Sequence, residues 1–277
     1  MGKSKIEWTD RTWNPVTGCT KVSQGCKNCY AERFALRMWG ARKFTDIICH
    51  MDRLDQPEKW RQPQKVFVNS MSDLFHERAP FDFITLVYEA MARAKQHTFQ
   101  ILTKRPERAL EYCQSCGPAW LAKGYQWPLP NVWMGISAED QPTADQRIPI
   151  LLRIPAAARF VSCEPLLGPM FIQGFLLDGW HKYASRLNWV IVGGESGPGA
   201  RPMHPDWARG LRDQCQKAGT PFFFKQRGEW TWDYPQGLSL ANRAQTYEHG
   251  MSFYRVGKKL AGRMLDGREW DEFPEVG

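Results

Sequence analysis

The chain has 277 residues, is 43% hydrophobic and 24% charged, and carries a formal net charge of +8. This is the composition of a folded globular protein with a sizeable core; it excludes a disordered chain, and eight cysteines are too few for a disulfide scaffold. No apolar run approaches the ~18 residues that span a bilayer, and "MGKSKIEWTD" lacks the apolar stretch of a signal peptide, so the expected location is the cytoplasm, without a membrane partner.

The first distinctive stretch is "GCTKVSQGCKNCYAERF", residues 18–34, with Cys19, Cys26 and Cys29 spaced C-x6-C-x2-C. It runs into a predicted helix over 30–40. Residues 65–75 read as a strand and loop. Residues 81–96 read as an amphipathic helix, with Phe83, Leu86, Val87 and Met91 at helical spacing. A strand over 97–106 is stopped by Pro106, and a helix starts at about 107. Cys113 and Cys116 open an expected insertion at about 113–130. Strand and loop over 131–140, partial helix over 141–154, and strands over 158–168 and 187–197 follow. A helix over 204–219 starts on Pro-Asp and stops at a glycine, and the last clear strand is 221–230. Alternation of this kind predicts a parallel sheet with helical crossovers. The expected fold is α/β: a mostly parallel (β/α) partial TIM-type barrel, a single domain over 1–277. Its cysteine loop lies at 18–30, and a covering segment at about 231–277, whose part over 257–274 reads as a covering helix or as a basic stretch for phosphate contacts. A doubly wound open sheet is the alternative, weakened because no G-x-G-x-x-G follows the first strand.

Parallel barrels carry function at the C-terminal ends of their strands. Those ends hold Ser70, Ser72 and Asp73, then Lys104 and Arg105, then Glu139. Ser162, Cys163 and Glu164 follow, then Gly193, Gly194 and Glu195, and last Lys225 and Gln226. Charged residues recurring at one end of every predicted strand point to a polar barrel mouth.

The cysteine triad asks for a metal centre. A structural zinc wants four protein ligands, which His50, His76 or Cys49 could complete. Three thiolates can instead hold three irons of a [4Fe–4S] cluster and leave the fourth open. Radical S-adenosylmethionine enzymes resemble this arrangement, the methionine group of the cofactor chelating the open iron. Their commonest spacing is C-x3-C-x2-C. Here the first gap is longer, and Asn28 stands where an aromatic residue usually precedes the third cysteine. Their glycine-glycine-glutamate motif usually follows the second strand, whereas Gly193, Gly194 and Glu195 follow the sixth.

Across the chain, "TWNPVTGCTKVSQGCKNCYA", "SMSDLFH", "ILTKRP", "GISAE", "SCEPLLG", "VGGESGPGARPMHPDW", "FFKQRGEW" and "GKKLAGRMLDGREWDEFP" resemble the phage-associated three-Cys-motif family, a domain of unknown function with radical-SAM-like character. The matching blocks span about residues 6 to 274. The resemblance implies a fold and a cofactor class, a [4Fe–4S] cluster with S-adenosylmethionine, and leaves the reaction open.

On this reading Cys19, Cys26 and Cys29 are the metal ligands. Ser70, Ser72 and Asp73 bind the end of S-adenosylmethionine nearest the cluster. Glu139 and Glu164 take its ribose or amino group, and Lys104 or Arg105 its carboxylate. Gly193 and Gly194 let backbone approach the ligand. Glu195, Lys225 and Gln226 face the substrate, and Cys163 is placed to donate hydrogen to a substrate radical. The expected function is an enzyme that cleaves S-adenosylmethionine to a 5′-deoxyadenosyl radical. The net positive charge points to a nucleic acid or nucleotide substrate. The alternative is a non-enzymatic nucleic-acid-binding protein of phage type with a structural zinc.

Overall fold

The computed structural model describes residues 4–179, 185–233 and 244–275. Strand β1 (Arg11–Trp13) comes first. A short antiparallel pair, β2 (Val16–Thr17) and β3 (Ile48–Cys49), follows and brackets helix α1 (Tyr30–Met38). Strand β4 (Lys65–Val68), helix α2 (Phe81–Arg93), strand β5 (Thr98–Thr103) and helix α3 (Pro106–Ala122) come next. After them lie β6 (Val132–Ser137), α4 (Gln141–Leu151), β7 (Ala158–Cys163), β8 (Trp189–Gly193), α5 (Pro205–Ala218) and β9 (Phe222–Gln226).

Strands β1, β4, β5, β6, β7, β8 and β9 form one parallel sheet, hydrogen-bonded in that order. Each step goes the same way across the sheet, so right-handed crossovers put the helices on one face. The sheet curls around its other face, and β1 and β9 remain unjoined. This is the predicted partial barrel.

The alternation of side chains along each strand sorts the residues. Val66, Val68, Ile101, Met134, Val161, Val190 and Phe224 belong to the large core shared with the helices. Phe67, Trp133, Phe160, Trp189 and Phe223 form a second, mostly aromatic cluster inside the curl, with Trp8 added from the segment before β1. The rings of Trp8 and Trp189 meet edge-on at 6.3 Å, as do those of Trp133 and Trp189 at 6.0 Å. Aromatic filling therefore closes the lower barrel and leaves the C-terminal mouth to polar side chains.

Two expectations need revision. Helix α3 runs unbroken through Cys113 and Cys116 to Ala122, so the first part of the expected insertion continues the crossover helix. Tyr112, Cys113 and Trp120 are buried in the core there, and Tyr112 and Trp120 pack against Tyr88 of α2. Over 257–274, expected as a covering helix, one turn of helix is found, and the described part of the covering segment before it is β. The segment holds the antiparallel strands β10 (Trp230–Thr231), β11 (Gln245–Glu248) and β12 (Met251–Arg255), then one turn of helix, α6 (Lys258–Ala261). Residues beyond α6 return along β9: Asp271 bridges Phe223 antiparallel, and Phe224 N donates to Trp270 O at 2.9 Å. Among the described residues no helix is long and apolar enough to cross a membrane.

Candidate active site at the barrel mouth

A cavity of about 410 Å³ opens at the C-terminal ends of the strands. Cys19, Cys26 and Cys29 line it together, all half-buried and all free thiols. Cys26 ends a 3-10 turn, Gln24–Cys26, and Cys29 caps the N-terminus of α1. The x2 gap therefore brings two thiols from adjoining turns. The x6 gap is spanned by a loop anchored at Gly18, whose φ of 95° suits glycine, and Cys19 N donates to Phe44 O at 2.9 Å.

The strand-end residues also reach this mouth. Ser70, Ser72, Asp73, Lys104, Arg105 and Glu164 line the cavity, as do Gly194, Glu195 and Lys225. Many of them grip the cysteine loop. Arg105 donates to the Thr20 carbonyl at 3.3 Å and to its hydroxyl at 2.8 Å, and its Nη1 lies 3.7 Å from the Cys19 sulfur. Glu139 lies under the loop: the Ser23 hydroxyl donates to its Oε1 at 2.7 Å, and a Cβ on Gly25 would overlap its carboxylate. Lys104 and Arg147 each hold Glu139 at 3.1 Å. Glu195 accepts from Asn28 Nδ2 at 3.0 Å and pairs with Arg201 through both oxygens, while Arg201 Nη2 also donates to Gln24 O at 3.1 Å. The loop is thus braced from the ends of β5, β6 and β8.

This changes several expected roles. Asp73 is buried with both oxygens engaged, Oδ1 by Phe75 N and the Thr103 hydroxyl, Oδ2 by Lys104 N and Arg105. It orders the turn after β5. The Ser72 hydroxyl donates to Val16 O at 2.8 Å, and that of Ser70 to Asn14 Oδ1 at 3.2 Å. A Cβ on Gly194 would collide with the Arg227 carbonyl, and one on Gly193 with Glu164, so both positions need glycine to admit protein neighbours, while Gly194 also lines the cavity. Cys163 does not face the cavity. Strand alternation turns it outward into the core shared with the helices, fully buried, while Ser162 and Glu164 point inward. Glu164 and Lys225 pair with each other at 3.2 Å.

The histidines near the loop are engaged. His50 Nε2 bonds the Thr17 hydroxyl at 2.8 Å. His76 Nε2 bonds that of Thr20 at 2.9 Å, and its Nδ1 accepts from Arg78 N. Burial, then the charge of Arg105, hold the pKa of the His76 ring below its ordinary value. Among the described residues no three His, Cys, Asp or Glu side chains stand close enough together to hold a metal ion. The cysteines share a cavity without being drawn into a ligand set.

Sequence reasoning passed over Ser23, Arg147 and Arg201. Arg147 is eight residues from Glu139, which precedes α4, so no helical spacing reveals the pair. Arg201 likewise has no sequence signal, because its link to Glu195 depends on how the loop after β8 folds back.

Burial pushes the Glu139 carboxyl up, but the charges of Lys104 and Arg147 and the Ser23 hydroxyl outweigh it and hold the group below its ordinary value. Burial also raises Glu195, where hydrogen bonds from Arg201 and Asn28 prevail and hold it low. A carboxyl depressed in the folded state contributes stability above its unfolded value, and that contribution is lost as pH falls through the folded one. Urea unfolding midpoints should therefore drop steeply below about pH 4, and E139Q should flatten part of that dependence. An unchanged profile in E139Q would mean that the depressed carboxyl adds nothing to stability.

Residues 3–274 match the family described as protein of unknown function (DUF5131), and the chain belongs to that family. Among solved structures, a mutant spore photoproduct lyase with bound AdoMet and dinucleoside spore photoproduct is similar at 11% identity and a TM-score of 0.43. That match covers 88% of this chain and 68% of the other. A second mutant of that lyase is 11% identical with a TM-score of 0.42, over 93% of this chain and 71% of the other. No curated protein matches significantly.

Proposed function

We propose that this member of the DUF5131 family is an iron–sulfur enzyme of the radical S-adenosylmethionine kind, acting in the cytoplasm on a nucleic acid or nucleotide. One observation carries the reading: three free, half-buried thiols of one braced loop face a single cavity at the C-terminal mouth of a parallel partial barrel. Three thiols are the donor type such a group takes, and they share one cavity, although their sulfurs are not drawn together into a ligand set in this structure. Cys19, Cys26 and Cys29 would hold three irons of a [4Fe–4S] cluster and leave one open for S-adenosylmethionine. The resemblance to the phage-associated three-Cys-motif family supports the same cofactor class. Such a cluster, when bound and reduced, would supply the electron for reductive cleavage of S-adenosylmethionine to methionine and a 5′-deoxyadenosyl radical.

The chain's own residues bind, orient and shield. Burial, then the charge of Asp73, push the Cys19 thiol up to about 11, with Arg105 pulling the other way. Metal ligation requires the thiolate and so releases that proton. Arg105, 3.7 Å from the sulfur, is placed to stabilise the resulting charge. Glu164 and Lys225 face the cavity as a pair and are the groups offered to ligand and substrate. A zinc reading needs a fourth ligand; the ring nitrogens of His76 and Nε2 of His50 already have partners, and the free thiol Cys49 does not line the cavity of the other three.

Anaerobic reconstitution with iron and sulfide should give a brown protein with ~4 Fe per chain. With dithionite and S-adenosylmethionine it should form 5′-deoxyadenosine, read by chromatography. Uptake of one zinc per chain with no iron under the same conditions would overturn the proposal.

A further inference from the structure

Helix α1 leaves the cysteine loop with a face that the core does not use. Ala31 and Ala35 point inward and are buried, whereas Tyr30 is 51%, Phe34 49%, Leu36 70% and Met38 62% exposed. At about 3.6 residues per turn, Tyr30, Phe34 and Arg37 form one stripe with Arg33 beside it, and Leu36 projects away from that stripe. Tyr30 and Arg33 line the cavity, and Phe34 and Arg37 lie beyond its lining, so the stripe leads out of the mouth. The Tyr30 hydroxyl donates to Ser70 O at 2.6 Å, which holds the ring in place at the entrance.

Charge is concentrated on the same segment. Residues 21–43 hold six cations and one acid, a net +5 of the chain's +8. That acid, Glu32, is already taken by Lys21 at 2.9 Å. Lys27, Arg37 and Lys43 are exposed and form no ion pair among the described residues. A polyanion that carries flat rings fits both features, because bases stack on aromatic side chains while cations follow the phosphates. A duplex hides its base faces, so exposed rings one helical turn apart favour an unpaired strand. A bilayer surface would engage Leu36 together with both rings, and Leu36 projects elsewhere. We infer that this stripe is a track for single-stranded nucleic acid, which passes over Phe34 and Tyr30 and delivers one nucleotide to the cavity. The inference rests on the proposed function in taking a nucleic acid as substrate, and goes further in naming an unpaired strand and the surface that carries it.

The test uses the full chain, as purified and after anaerobic reconstitution. Fluorescence anisotropy follows labelled oligothymidylate and oligouridylate of about twelve nucleotides, within the usual site size of such surfaces; the pair tells a DNA strand from an RNA strand. At least one should bind, with affinity falling as salt rises, and at least roughly tenfold more tightly than a blunt duplex of equal length. F34A and R37E should each weaken binding by roughly tenfold, whereas L36A should leave it unchanged. None of these three side chains lines the cavity, so iron content after reconstitution should stay at the wild-type level in every variant. Equal or tighter binding of the duplex, wild-type affinity in both F34A and R37E, or a loss in L36A equal to that in F34A would overturn the inference. So would sedimentation with phosphatidylserine vesicles in the absence of oligonucleotide binding, which would assign the face to a lipid surface. Iron is scored separately: a chain that binds the strand but takes up no iron would sink the iron–sulfur reading and leave this one standing, and a brown protein that cleaves S-adenosylmethionine but ignores both strands would do the reverse.

Discussion

C26A is expected to abolish both iron retention and 5′-deoxyadenosine formation while leaving the protein folded. Cys26 sits at the end of a 3-10 turn, half-buried, and its sulfur makes one weak contact, 3.9 Å from the Ser23 hydroxyl. Losing that contact should cost no more than about 0.5 kcal/mol, the usual range for substitutions away from the core. The effect on a cluster is of another size, because one of only three protein ligands disappears. C19A and C29A should lose the cluster equally; Cys19 and Cys29 pack against Ala31, Ala35 and Phe44, so some stability goes with them. Iron content, visible absorbance and product formation after anaerobic reconstitution give the answer. Full cluster loading in C26A would remove the basis of the mechanism.

The second large effect is expected at Glu139. E139A should destabilise the fold by about 3–5 kcal/mol, because it strands two cations whose shared carboxylate is gone. Arg147 is 4% exposed and Lys104 half-buried, so water cannot easily replace that partner. The thermal midpoint should fall by roughly 10 °C. Loading with iron should fall too, since Ser23 and Gly25 rest on this carboxylate and flank the turn that carries Cys26. E139Q retains shape and a hydrogen-bond acceptor and should lie between the two. If E139A melted like wild type and lost only affinity for S-adenosylmethionine, the residue would be a ligand-binding group, as its place after a strand first suggests.

The architecture was legible because short β-branched and aromatic runs alternate with helical stretches, and some boundaries carry their own markers. Asp140 caps α4 with Thr143, and Gly219 ends α5 at φ 63°. The mouth was legible for the same reason: residues just beyond parallel strands converge. What those residues do there was not. Asp73, Glu139 and Glu195 look alike in sequence, yet each is committed to protein partners that come from distant segments. Cys163 was misplaced by one step of strand alternation, since its neighbours Ser162 and Glu164 take the inward positions.

An unclosed barrel has two raw edges, and exposed edges invite pairing with other chains. Here β1 offers three residues, too short a template to be dangerous. The longer edge, β9, is occupied by the antiparallel return of residues 270–272, anchored by Phe273 against Trp189 and Phe223. The returning segment thus acts as a guard against aggregation. It lets the molecule keep a gap in its wall, and hence a roomy mouth, without leaving an adhesive strand in solution.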